Sequence, residues 1–132
     1  MRVTPEPAAV PGYRLAVAAE SLYLVNLMLA PGLAFVPLAW LWLKHHRGAP
    51  PLARCHLEQT FFVSLIGGTA IVVASALVIA AGGLDWAWTW VIVILYFTLI
   101  HSTLIMLGMV GLAKALSGKL YVFPLIGRRC DG

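Results

Sequence analysis

Three runs almost empty of charge constrain this chain more than any motif in it. Between Arg14 and Lys44 lie 29 residues with one formal charge, between Glu58 and Asp85 lie 26 with none, and between Asp85 and Lys114 lie 28 with none. A helix crossing a hydrocarbon core of about 30 Å needs about 20 mostly apolar residues, so each run is long enough to span a bilayer and no fourth full span remains. Hydrophobic residues make up 61% of the chain and charged residues 11%, where an ordinary soluble domain carries about 25% charge. The expectation is an all-α integral membrane protein with three transmembrane helices, spanning about 15–43, 58–82 and 86–114. These form a single transmembrane domain over 14–118, between an extended N-terminal arm (1–13) and an extended C-terminal tail (119–132).

Proline and glycine punctuate the runs. Pro31 removes a backbone donor and clashes with the preceding turn, and Gly32 and Pro37 follow, so the first span is expected to be kinked or split between Pro31 and Pro37. One kinked span from Leu15 to Leu43 would reach about 43 Å and leave the N terminus on the far side. A re-entrant hairpin would instead gather all nine basic residues on one side, but its arms of about 24 and 18 Å are too short for two crossings. The single kinked span is the preferred reading. Pro50 and Pro51 open the second helix near Leu52, and Gly82 and Gly83 close it. Asp85 is placed to cap the third helix, and Gly118 to stop it.

Charge position then orients the chain. Lys44, Arg47 and Arg54 follow the first run, and Lys114, Lys119, Arg128 and Arg129 follow the third, so seven of the nine basic residues share one side after three crossings. The positive-inside bias places the Lys44–Arg54 loop and the C terminus in the cytoplasm, at a bacterial inner membrane. Trp40 and Trp42 at one end, and Trp86, Trp88 and Trp90 at the other, mark the two interfaces. Orientation accounts for the basic residues, so nucleic acid is not an expected partner. Cys55 and Cys130 fall on the cytoplasmic side, where thiols stay reduced, so no disulfide is expected.

Ionisable residues inside apolar runs are costly in lipid and mark candidate sites. Glu20 and His101 are the two here, with Ser102 beside the histidine and Thr98 and Thr103 nearby. Interhelical hydrogen bonding is the structural expectation for His101, against proton relay or a partner contact. Glu20, near its helix start, is expected to reach the interface. His45, His46, Cys55 and His56 offer ligand types for zinc or copper without a regular ligand spacing. No nucleophile elbow, P-loop, HExxH sequence or paired carboxylates occur, so neither enzyme activity, metal nor cofactor is expected. Gly67, Gly68, Ala70 and Ala74, with Gly108 and Gly111, are small enough for close helix packing.

Two stretches are more specific: Arg54-Cys55-His56-Leu57-Glu58-Gln59-Thr60 before the second span, and Gly118-Lys119-Leu120-Tyr121-Val122-Phe123-Pro124-Leu125-Ile126 after the third. They resemble the R-x-H-x-x-Q-A and G-x-x-Y-x-x-P-L-I patterns of small bacterial multi-pass membrane proteins related to the twenty-kilodalton Tic subunit of the chloroplast import translocon. The resemblance covers about residues 22–127, with Arg54, His56, Gln59, Gly118, Tyr121 and Pro124 matching and Thr60 in place of alanine. Both motifs lie at one membrane face. Arg54, His56 and Gln59 are therefore expected to clamp the end of the third helix or the Tyr121–Pro124 segment, or to bind an anionic headgroup or partner loop. The expected function is that of a non-catalytic accessory subunit, in contact with lipid and with other membrane subunits or copies of itself. The alternative is a transport or protein-translocation component acting as an oligomer.

Overall fold

The computed structural model describes residues 3–130. Within them the chain is all-helical: a 3-10 turn at Pro7–Ala9, then α1 (Tyr13–Met28), α2 (Phe35–His45), α3 (Pro51–Gly82) and α4 (Ala87–Leu116). Among the described residues two helices, α3 and α4, are long and apolar enough to cross a membrane. The expected first span is instead two separate helices, so the three expected spans become two.

The break has a local cause. Gly32 adopts a φ of 82°, and its N–H donates to Asn26 Oδ1 at 2.8 Å. That bond supplies an acceptor for a turn in which Pro31 can donate nothing. Pro37 is tolerated because it sits in the first turn of α2, where an intrahelical donor is not required.

The two short helices fold into a hairpin. A Cβ on Gly12, at the start of α1, would lie 3.1 Å from Ala53 N and 3.2 Å from Pro50 Cβ, at the start of α3. The end of α2 reaches the same place, with the Ala49 N–H bonded to the His45 carbonyl at 2.9 Å one residue before Pro50. Both open ends of the hairpin therefore lie at one end of the bundle. At 1.5 Å per residue α1 and α2 rise about 24 and 16 Å, while α3 and α4 rise about 48 and 45 Å.

The core consequently occupies only part of the length of the long helices. Ala16, Ala19, Glu20 and Tyr23 form the buried stripe of α1, at the i, i+3, i+4, i+7 spacing of one helix face. Opposite them α4 buries Leu104, Gly108, Gly111 and Ala115, and α3 buries residues from Leu52 to Gly67. Glycine is required here by distance. A Cβ on Gly111 would stand 2.6 Å from Glu20 Oε2, and one on Gly108 would overlap the Tyr23 ring. Tyr23 Oη uses that approach to donate to the Leu104 carbonyl at 3.0 Å.

Beyond Gly68 the hairpin has ended, and α3 and α4 pack on each other alone. Tyr96 Oη donates to the Ala70 carbonyl at 2.8 Å, and Gly82 leaves room for Thr89. The apolar residues of this half are outward-facing, among them Val72, Leu77, Ile94 and Leu99.

The termini also depart from expectation. Asp85 does not cap α4, whose N-cap is Trp86 with no side-chain bond. Gly118 does stop the helix: at φ 66° it closes a Schellman motif, with Lys119 N–H on the Lys114 carbonyl at 2.9 Å and its own N–H on the Ala115 carbonyl at 3.0 Å. The N-terminal arm is not extended throughout, since Pro7–Ala9 forms a 3-10 turn, and Val10 after it packs on the Ala16, Leu52 and Ala115 cluster.

The glycine contacts set a stability contrast. Gly111→Val drives two methyl groups into the Glu20 carboxylate, and overpacking of this kind costs about 1–3 kcal/mol. Gly68→Ala meets nothing within 4 Å and adds about 1 kcal/mol of helix propensity. Thermal denaturation of the detergent-solubilised protein should show the first variant melting several degrees lower and the second melting at or above the parent temperature.

Candidate functional site: a buried polar clamp on the C-terminal tail

The polar residues near the end of the bundle where the hairpin opens converge on the tail. His56, in the second turn of α3, is wholly buried together with Glu20 and Gln59. Its Nδ1 lies 2.6 Å from Glu20 Oε1 and its Nε2 lies 2.9 Å from the Lys119 carbonyl. A carbonyl can only accept, so Nε2 carries the proton there. The Glu20–His56 contact then holds one further proton, either as a carboxylic acid donating to a neutral imidazole or as an imidazolium donating to a carboxylate. One ring therefore joins α1, α3 and the segment leaving α4.

Glu20 was expected near the interface and lies instead in the core, because the hairpin folds α1 against α3 and α4. Its Oε2 has no hydrogen-bond partner among the described residues. It faces the Gly111 backbone.

Gln59, one turn further along α3, holds the tail as a strand neighbour would. Its Oε1 accepts from Phe123 N–H at 3.3 Å and from Arg128 N–H at 3.1 Å, while its Nε2 donates to the Arg128 carbonyl. The tail turns around it: Leu125 takes a φ of 67°, and Gly127 N–H donates to the Phe123 carbonyl at 2.9 Å. A Cβ on Gly127 would come within 2.6 Å of Gln59 Oε1. Phe123 is driven into the core, its ring 5.5 Å from Tyr23 and 5.1 Å from Tyr121. Thr60, which stands where the resembling family has alanine, satisfies its hydroxyl on the His56 carbonyl at 2.7 Å.

Other expected members take different places. Arg54 lies outside the clamp, paired with Glu58 at 3.9 Å on a largely exposed side chain, a geometry of small energetic consequence. Tyr121 contributes its ring rather than a hydroxyl bond, and burial first, then the nearby Glu20 charge, pushes its phenol above the ordinary range. Pro124 is exposed and shapes the turn, its carbonyl accepting from Ile126 N–H at 2.8 Å. His101 is remote from the clamp and stacks on Phe97 at 4.9 Å. Ser102 points outward and is exposed, so the two neighbours do not form one polar surface.

Cys55 and Cys130 correct the expectation of free thiols. They are joined as a disulfide across 75 residues, with Cα atoms 5.2 Å apart, because the turn around Gln59 returns the tail to the first turns of α3. Cys55 is bonded and both His56 nitrogens are engaged, and among the described residues no three His, Cys, Asp or Glu side chains gather where they could hold a metal ion. Beside it, Trp42 lies between Phe61 at 4.2 Å and His46 at 4.4 Å in a parallel stack, and the Arg128 guanidinium sits 4.1 Å above Phe62. These aromatic contacts fasten α2 and the tail to one side of α3.

Comparison of the chain with family models, with curated proteins and with solved structures finds no match. The likeness to the bacterial relatives of the Tic subunit rests on the two motifs alone.

Gln59→Leu keeps the volume of the clamp and removes its polar atoms. Three backbone groups of the tail then lose partners, at about 1–3 kcal/mol for each that stays buried. Limited proteolysis under reducing conditions should cut the variant between Lys119 and Arg129 at least tenfold faster than the parent, with α3 and α4 left intact.

Proposed function

We propose that this protein is a non-catalytic integral membrane subunit that packs against and stabilises a larger membrane assembly. The observation that carries the reading is the use of its buried polar groups. Glu20, His56 and Gln59 are each spent on internal contacts, and the one oxygen left over, Glu20 Oε2, is buried against the Gly111 backbone. What the fold offers outward is apolar: Leu95, Leu99, Met106 and Met109 along α4 are all exposed. Such a face suits lipid, or another subunit's helix packed by shape rather than by charge.

In this reading α3 and α4 each cross a bacterial inner membrane, and the α1–α2 hairpin enters from the cationic face and returns to it. Arg14 then joins Lys44, Arg47, Arg54, Lys114, Lys119, Arg128 and Arg129 on one side, and Asp85 is the only charged residue at the opposite turn. The bias of basic residues assigns that side to the cytoplasm. The disulfide weighs toward an oxidising compartment. Eight cations outweigh one bond, and Cys55–Cys130 is read as a link exposed to cellular reductants.

Labelling distinguishes the hairpin from a crossing first span. In a Cys55→Ser, Cys130→Ser background, Arg14→Cys and Arg47→Cys should both react with a membrane-impermeant maleimide from the cytoplasmic side, and Leu84→Cys from the other. Arg14→Cys and Arg47→Cys reacting from opposite sides would overturn the hairpin. For the function itself, tagged protein purified from its native membrane in mild detergent should bring down stoichiometric membrane subunits of one assembly. A chain that emerges alone would remove the proposal.

A further inference from the structure

The step where the hairpin stops leaves a cavity of about 580 Å³ that the clamp does not use. The Pro31–Gly32 turn and Phe35 close one side, Gly68 opens the α3 wall, and Phe97 and Leu104 form the α4 wall. Its polar lining residues are Tyr23, Asn26, Ser64, Thr69 and His101, of which Tyr23 and Asn26 are bonded within the protein. Ser64 Oγ is buried with no hydrogen-bond partner. The His101 ring lies flat on Phe97, 16° from parallel, and makes no hydrogen bond among the described residues.

Depth selects the occupant. His101 stands 14 residues from Ala87 and 15 from Leu116, so about 21 Å of helix separates it from either end of α4. Unpaired polar groups at that depth are costly, and whatever satisfies them must arrive through hydrocarbon. A phospholipid keeps its polar groups near the surface, and an acyl chain has none to offer at mid-depth. A neutral ring carbonyl on an isoprenoid chain dissolves in the bilayer interior, presents a flat face to an aromatic pair, and accepts hydrogen bonds. The volume falls within the range of small-molecule sites.

We propose that this cavity binds a prenylated quinone, with its ring packed beside the Phe97–His101 pair, a carbonyl at the edge of the imidazole accepting from its in-plane N–H, and Ser64 as the second donor. The site is independent of the subunit reading. It would stand even if the protein purified alone.

The test uses the full chain in phosphatidylcholine nanodiscs, photolabelled with an azido-ubiquinone in competition with decylubiquinone. Labelled peptides should map to α3 and α4 around Ser64 and His101, and labelling should saturate. His101→Phe keeps the stack and loses the donor, so half-competition should need about tenfold more decylubiquinone, the loss expected of one hydrogen bond. Gly68→Leu fills the cavity from a position with open space around its Cβ and should abolish saturable labelling without lowering the melting temperature. If Gly68→Leu proves unfolded, the His101→Phe shift decides. Labelling that decylubiquinone does not compete away, that oleate competes away equally well, or that His101→Phe leaves unchanged overturns the proposal, the oleate result identifying an acyl-chain groove instead.

Discussion

The arrangement of this protein depends on one carboxyl group placed where water cannot reach it. Glu20 sits on the buried stripe of α1, and a carboxyl there is tolerable only if something hydrogen-bonds it. His56 does so on one nitrogen and holds the Lys119 carbonyl on the other. Three segments distant in sequence are thereby set against one another at a single ring. Remove His56 and the carboxyl is left buried with nothing to bond; remove Glu20 and one imidazole nitrogen is left so, and either loss costs more than the contact itself contributes.

Close approach makes that contact possible. Gly108 and Gly111 strip α4 of side chains where α1 crosses it, so that Tyr23 and Glu20 fill the space directly above the backbone. Because dispersion falls steeply with distance, such contact supplies packing that leucine pairs held further apart do not. The tail is fastened by different means: backbone groups on Gln59, the Phe123 ring between two tyrosines, and the Cys55–Cys130 bond. Together they make one end of the molecule a folded core. The other end is a bare helix pair, and the cavity lies at the boundary between them.

Much of the fold was legible before any coordinates. The uncharged runs predicted α3 and α4 to within a few residues, Gly82 and Gly118 ended them as expected, and Pro31 with Gly32 broke the first run. The hairpin itself was not legible, because a run of 29 residues with a single charge satisfies a crossing span and a folded pair equally well; only the packing of Gly12 on Ala53 separates them. In the clamp, His56 and Gln59 stood out by their spacing, whereas Arg54 shared that spacing and lies outside. Glu20 carried the signal of an ionisable residue in an apolar run, with nothing in the sequence to name its partner. The cysteine pair is not legible from compartment and spacing, because what joins the two is the tail turning back onto the first turns of α3.

The sequence by itself determined the solvent and the elements: apolar length, charge position and the placing of proline and glycine act locally, over one or two helical turns. Tertiary structure alone decided the partners. Which nitrogen meets Glu20, which backbone groups occupy Gln59 and where the cavity opens all depend on contacts between residues tens of positions apart. Those contacts are selected by the geometry of helix approach, which no local pattern encodes.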